Sequence, residues 1–148
     1  MKHRMLASAL SLIGVFVSLY LLLWKIGALD DLACTTSGCE TVQTSPYSDF
    51  LGVPVALYGV AGFAVLFVLS LVALQPRWIG RREPTVVLTA VSSIGVAFSA
   101  YLSYLEAAVI HAWCQWCVVS AVVVTLVFAA CLAGLLAWPR APAAGGGR

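Results

Sequence analysis

The chain has 148 residues, of which 62% are hydrophobic and only 9% are charged. Soluble domains carry about 25% charged residues, so this composition excludes a soluble fold and requires the bilayer to solvate most of the chain. The formal net charge of +2 comes without a basic patch, and we therefore expect no nucleic-acid partner.

Four stretches without Asp, Glu, Lys or Arg side chains dominate the sequence. They cover residues 5–24, 51–76, 84–105 and 107–139. Each is long enough for one crossing, because a spanning helix needs about 20 apolar residues to traverse ~30 Å of hydrocarbon. The first stretch is longer than the roughly 7–15 apolar residues of a signal peptide, and we interpret it as a retained helix.

These stretches predict an all-α integral membrane protein with one four-helix domain over residues 1–138. The helices are expected at about 5–26, 53–75, 84–108 and 114–138. The polar loop 27–50 is unsuited to hydrocarbon and is predicted to cap one end of the bundle. The low-complexity tail 139–148 is predicted to be disordered.

The basic residues indicate the orientation of this bundle. With four crossings, seven of the eight Lys and Arg residues fall on one side of the membrane: Lys2, Arg4, Arg77, Arg81, Arg82, Arg140 and Arg148. The opposite side has only Lys25. Lys and Arg accumulate in cytoplasmic loops. Both termini are therefore predicted to be cytoplasmic, with loop 25–50 and turn 106–113 on the extracytoplasmic side.

The cysteines indicate redox chemistry on that extracytoplasmic side, where disulfides persist. Cys34 and Cys39 lie in the polar loop, and Cys114 and Cys117 open the fourth helix. Residues three apart share a helix face, and the N–H groups at a helix start stabilise a thiolate. This pattern predicts thiol–disulfide exchange. Cys131 lies deeper in the same helix and is interpreted as a small apolar side chain.

Two other interpretations of the paired cysteines remain open, namely static disulfides and a four-thiolate zinc site. A bridge within one helical turn restricts the unfolded chain little, which favours a redox role over a structural one. The spacing and the position beside a membrane are unusual for structural zinc, so no metal is expected. Two nearby groups are assigned no redox role: Glu106 is interpreted as a surface carboxylate and His111 as a solvated side chain.

The order and spacing of several motifs resemble the vitamin K epoxide reductase family, specifically its compact bacterial members without a fused thioredoxin-like domain. Besides the two cysteine pairs, Cys39 is followed six residues later by Ser45. The segment 52–59, Gly-Val-Pro-Val-Ala-Leu-Tyr-Gly, is similar to the family's entry to its second helix. The resemblance covers roughly residues 5–138.

This resemblance implies a bundle that encloses a quinone of the menaquinone, ubiquinone or phylloquinone type. Cys34 and Cys39 would take electrons from a separate thioredoxin-like or DsbA-like protein. Cys39 would exchange with Cys114, and Cys117 would face the quinone.

The resemblance also places Ser45 near the quinone head group. Some members carry Asn at the position of Val55, and vertebrate members carry Tyr at the position of Ala121. Both positions therefore belong to the implied quinone site, but neither side chain can form a hydrogen bond in this chain.

The activity implied is that of a membrane thiol:quinone oxidoreductase supporting disulfide formation in exported proteins. A DsbB-type enzyme would carry its C-x-x-C in the first outer loop, and here the order is reversed. A membrane scaffold with structural disulfides belongs to a different functional class and is the alternative. A transporter is disfavoured, because the helices carry almost no ionisable groups.

Overall fold

The computed structural model describes residues 2–139 of the chain. Within this range, four helical segments have the length and hydropathy of membrane spans: Lys2–Lys25, Val55–Ala73, Glu83–Ile110 and Gln115–Leu136. The predicted all-α membrane bundle is confirmed. Apart from Pro139, the tail predicted to be disordered lies outside the described residues.

The secondary structure consists of five α-helices, short turns and one small hairpin within the described range. The helices are α1 (Lys2–Lys25), α2 (Gly38–Thr44), α3 (Val55–Ala73), α4 (Glu83–Leu105) and α5 (Gln115–Leu136). A 3₁₀ turn at Pro46–Ser48 precedes the antiparallel strands β1 (Asp49–Phe50) and β2 (Val53–Pro54). A π-helical turn, Glu106–Ile110, extends α4.

The polar segment after α1 forms a cap over one end of the bundle. We call residues 26–54 the cap, the covered end the cap end, and the other end the far end. The chain leaves α1 at Gly27, whose φ of +78° suits glycine. The N–H of Ala28 then donates to the Leu23 carbonyl at 2.9 Å, which closes the helix with a Schellman motif.

Helix α1 packs along both α3 and α5, and α4 packs along α5. The buried face of α1 is a row of small residues that includes Ser11, Gly14 and Ser18. On α3, a Cβ added at Gly59 would collide with the Ser18 hydroxyl. In lipid the hydrophobic effect does not drive helices together, and small residues allow the close backbone packing that does. The small-residue face of α1 therefore determines how closely α1 packs against α3.

Helices α3 and α4 contact each other far less than the other neighbouring pairs, and an apolar groove opens between them. The outward faces of all four spans carry large apolar side chains. Exposed examples are Phe16, Val68, Ile94 and Val122. Contiguous apolar exposure of this kind is what a lipid-facing surface requires.

Arg4 has a structural role at the far end that its sequence position did not indicate. Its side chain is only 3% exposed. The guanidinium donates to the carbonyls of Ala73, Trp78 and Arg81 at 2.6, 3.0 and 2.6 Å, and to the Thr85 hydroxyl at 3.0 Å. Arg4 thereby ties the start of α1 to the connection between α3 and α4.

We predict that Arg4→Met lowers the free energy of unfolding by about 3 kcal/mol or more, because a hydrogen bond to a charged group contributes about 1.5–3 kcal/mol. Reversible unfolding in mixed detergent micelles measures this loss. Lys2→Met is the matched control, since it removes an exposed charge from the same helix end. Equal stability of the two variants would show that Arg4 contributes only charge.

Candidate redox site

The first cysteine pair forms a disulfide in the cap. Cys34 and Cys39 are bonded, with their Cα atoms 6.3 Å apart, within the usual range for a disulfide. Cys39 lies in the first turn of α2 and is 1% exposed, whereas Cys34 is partly exposed. A recess of about 190 Å³ opens beside the disulfide. An approaching thiol therefore meets Cys34 first.

Aromatic and polar contacts hold the cap segment around Cys34 against α1 and α5. The Trp116 indole donates to the Ala33 carbonyl at 2.7 Å, and the Ala33 N–H donates to the Tyr20 hydroxyl at 2.9 Å. The Tyr20 and Trp116 rings meet edge to face at 5.2 Å, a favourable aromatic geometry. These contacts fix the disulfide above the start of α5.

Lys25 anchors the other side of the cap. Its ammonium donates to the Gln43 carbonyl and the Ser48 hydroxyl, both at 2.6 Å, and pairs with Asp49 at 3.6 Å. The single basic residue expected on this side thus binds the cap to the end of α1.

The second cysteine pair opens α5. Cys114 is the N-cap residue, with extended backbone angles, and Cys117 lies in the first turn. The preceding residues reverse direction at His111, which adopts a left-handed conformation with φ of +54°. His111 is exposed, in agreement with its interpretation as a solvated side chain. Both thiols are free.

The environment of Cys114 favours its thiolate. A hydrogen bond from the Cys117 side chain is the largest effect, and together with Gln43 it lowers the pKa of the Cys114 thiol to about 7, against the opposing effect of burial. The Gln43 amide lies 3.9 Å from Cys114 Sγ and 3.5 Å from Cys117 Sγ. A lowered thiol pKa raises the thiolate fraction near neutral pH, which favours Cys114 as a nucleophile in exchange.

Cys39 and Cys114 belong to one buried cluster, which Leu21, Val42 and Ala56 complete. The approach is close because α2 begins with Gly38, where an added Cβ would collide with the backbone of Trp113. The Thr36 hydroxyl donates to the Trp113 carbonyl at 3.2 Å. The two pairs thus lie side by side, with two of their sulfurs shielded from water.

Glu106 does not lie on the surface, and the interpretation of its side chain as a surface carboxylate was wrong. The residue is 3% exposed, and its Oε2 accepts the Cys114 N–H at 3.1 Å. The cause is the π-helical turn, which continues the helix to Ile110. Glu106 therefore lies a full turn inside the helix end and faces α5.

Two neighbouring cavities lie beneath the thiols. The inner cavity, of about 90 Å³, is lined by groups that include Gln43, Val55, Glu106 and Cys117. The α3–α4 groove, of about 360 Å³, is almost entirely apolar. Gly59, Phe63, Phe98 and Ser99 line both. A molecule seated beside Cys117 would therefore have an apolar path between α3 and α4 towards lipid.

The three residues assigned to the quinone by resemblance occupy different places. Val55 lines the inner cavity and a side pocket of about 30 Å³, and Ser45 lines only that side pocket. The Ser45 hydroxyl donates to the Val42 carbonyl at 2.7 Å. Ala121 lies one turn beyond Cys117 on α5 and is absent from the lining of these cavities as far as residues 2–139 show.

Polar groups of the inner cavity that the sequence interpretation missed include Gln43 and two serines of α4. Ser99, Ser103 and Glu106 follow one another at spacings of four and three, which places them on one helix face. That polar row within an otherwise apolar helix was the available signal. No comparable pattern pointed to Gln43 in the short α2.

A sequence model of the vitamin K epoxide reductase family matches residues 5–132 of the chain. The match includes both cysteine pairs and most of each membrane-length helix. It agrees with the resemblance seen in the motifs and with the helical membrane fold. The protein therefore belongs to the vitamin K epoxide reductase family of membrane thiol–quinone oxidoreductases.

Proposed function

We propose that this protein oxidises an extracytoplasmic thioredoxin-like partner and passes the electrons through its two cysteine pairs to a membrane quinone. The observation that carries the proposal is the position of the cap disulfide. One of its sulfurs is accessible, and the other is buried with Cys114 above a cavity that Cys117 lines. The activity would support disulfide formation in exported proteins.

The first step of the proposed relay takes place at Cys34. A thiolate of the partner attacks Cys34, the bond to Cys39 breaks, and a second partner thiol resolves the mixed disulfide. The partner leaves oxidised, and Cys34 and Cys39 become thiols. The buried position of Cys39 supports this order, because the partner has direct access only to the other sulfur.

The second step transfers the electrons within the protein. Cys39 attacks Cys114 of an oxidised Cys114–Cys117 pair, Cys117 leaves as a thiolate, and Cys34 then attacks Cys39. The cap disulfide re-forms and the C-x-x-C becomes a dithiol. The lowered pKa of Cys114 supports its exchange with Cys39.

The cavities fit a quinone as the final acceptor. Ligand sites are mostly apolar with a few polar groups that fix orientation, and the inner cavity offers the side chains of Gln43, Ser99, Ser103 and Glu106. The α3–α4 groove suits an isoprenoid tail. When bound, the quinone accepts two electrons and two protons. Val55 contributes to the shape of the cavity but cannot form a hydrogen bond, so the polar side chains of the cavity would orient the quinone.

The proposed orientation places the cap outside the cytoplasm and both termini inside. Arg4, Arg77, Arg81 and Arg82 lie at or beside the far end. Lys25, at the cap end, is engaged with Asp49. The charge asymmetry favours a cytoplasmic far end, and an oxidising compartment around the cap favours the disulfide.

A membrane scaffold with structural disulfides is the alternative from another functional class. The free Cys114–Cys117 pair and the lowered pKa of Cys114 favour the oxidoreductase. A static scaffold would keep one disulfide pattern in the presence of reduced partner and quinone, whereas the oxidoreductase changes its thiol state under the same conditions.

Topology can be tested in intact cells. After mild reduction, a membrane-impermeant maleimide should label a variant that retains only Cys34, and a reporter fused after Arg148 should read as cytoplasmic. A variant that retains only Cys131 is the matched control and should stay unlabelled, because this side chain is fully buried. A reporter found outside the cytoplasm would contradict the orientation.

The two pairs should respond differently to substitution. Cys117→Ala should abolish quinone reduction with every reductant, because the C-x-x-C can no longer form its disulfide. Cys34→Ala should block the protein reductant but retain activity with a small dithiol, which reaches the partly exposed Cys117 directly. Quinone absorbance measures both reactions, and Cys131→Ala should retain both. Parallel loss of both activities in Cys34→Ala would argue for a shared structural role.

A further inference from the structure

We propose that Glu106 is a catalytic residue that carries a proton from the Cys117 thiol to the quinone oxygen during quinone reduction. This inference rests on the proposed function and adds a chemical role that neither the cysteine pairs nor the cavity shape supplies. Glu106 is buried beneath the C-x-x-C and shares the inner cavity with Cys117.

The proton balance of the reaction creates the need for such a group. Oxidation of the Cys114–Cys117 dithiol to its disulfide releases two electrons and two protons, and reduction of a quinone to its quinol consumes the same number. No further oxidant or reductant is required. The electrons move by formation of the S–S bond, but the protons need a carrier in a small cavity whose lining is mostly apolar.

Glu106 lies between the start of α5 and the inner cavity, where it could carry such a proton. One carboxyl oxygen accepts the Cys114 N–H at 3.1 Å, which fixes the side chain beside the start of α5. Cys117 lines both the inner cavity and the side pocket together with Glu106. Glu106 and Cys117 therefore face the same space from neighbouring helices. A carboxyl group held in this way can accept the thiol proton and donate it into the cavity.

The surroundings allow both protonation states of Glu106. The Cys114 N–H stabilises the anion, and burial without a nearby cation stabilises the neutral acid. In the part of the chain that the structure describes, the one ion pair joins Lys25 to Asp49 at the cap. The titratable groups that face Glu106 are the two thiols of α5 and, across the side pocket, the phenol of Tyr47 in the cap, which also contributes the neutral amide of Gln43. A proton carrier needs this access to both states.

In the proposed step, the carboxylate of Glu106 takes the proton of Cys117, the bond between Cys117 and Cys114 forms, and the two electrons released pass to the quinone. The carboxylic acid returns that proton to the quinone oxygen, and Glu106 ends as it began. Cys114, whose pKa is lowered to about 7, releases the second proton to the aqueous side, and the aqueous side supplies the second proton of the quinol.

A purely structural role for Glu106 makes different predictions and can be separated by two substitutions. Glu106→Gln keeps the size and an oxygen that accepts the Cys114 N–H, but it carries no transferable proton. Glu106→Ala removes both functions. General acid–base groups contribute about 10²–10⁴-fold to rate, so Glu106→Gln should reduce quinone about 100-fold more slowly than wild type in a single turnover at neutral pH.

The pH profile provides the first diagnostic readout. In Glu106→Gln the Cys117 thiol must lose its proton to solvent, so quinone reduction should accelerate as pH rises and approach the wild-type rate in alkali. Exchange between Cys39 and Cys114 should proceed normally in this variant, because it does not use Glu106. Infrared difference spectra of wild type, recorded on thiol reduction, should contain a carboxyl band that Glu106→Gln lacks.

Three results would overturn the inference. They are a wild-type rate and pH profile in Glu106→Gln, loss of cysteine exchange in Glu106→Gln as in Glu106→Ala, or no carboxyl band that depends on Glu106. If wild type itself exchanges disulfides but never reduces quinone, the proposed function fails first. That outcome is distinguishable, because it appears without any substitution of Glu106.

Discussion

The contact between the cap and the first turn of α5 determines the chemistry available to this protein. Gly38 lets α2 rest on the backbone of Trp113, and the Trp116 indole holds the chain at Ala33. A disulfide that would otherwise lie in a mobile polar loop is thereby packed against a second pair of thiols. Without this contact, Cys39 would remain in water, apart from Cys114.

The same contact divides the four cysteines by accessibility. Cys34 is partly exposed, Cys39 and Cys114 are buried together, and Cys117 lines the cavity. Exchange among thiols needs close sulfurs and a thiolate but little motion of the backbone. In the proposed relay, this order would carry electrons from the cap towards the cavity, and the burial of Cys39 and Cys114 would protect them from reaction with other thiols.

Polar groups are scarce in this bundle, and several of the buried ones form specific hydrogen bonds. Arg4 satisfies backbone carbonyls at the far end. Gln43 approaches both thiols of the C-x-x-C, and Glu106 accepts the backbone N–H of Cys114. A buried polar group is costly unless it is hydrogen-bonded. Their placement at the two ends leaves the middle of the bundle to apolar and small side chains.

The sequence predicted the four membrane helices well because their signal is local, and the predicted position of the C-x-x-C at a helix start rests on a local signal too. Apolar length identifies a spanning helix, and the spacing of Cys114 and Cys117 has meaning at a helix start. The burial of Glu106 depended on the π-helical turn that continues the helix past it, and only its spacing from Ser99 and Ser103 pointed inwards. The role of Arg4 depended on carbonyls distant in sequence, and the role of Gln43 depended on how α2 docks. Each of these is a tertiary effect.

The central claim is that Cys39 and Cys114 exchange directly, and trapping their mixed disulfide tests it most directly. In Cys117→Ala, Cys114 can attack Cys39 and release Cys34, but the thiol that would resolve the bridge from the other side is missing. Proteolysis and mass spectrometry under non-reducing conditions should then detect a Cys39–Cys114 bridge, which requires Cα atoms within about 7 Å. Cys131→Ala should show no such accumulation. If Cys117→Ala contains only the Cys34–Cys39 disulfide, with Cys114 free under every redox condition, the two pairs do not communicate and the relay is wrong.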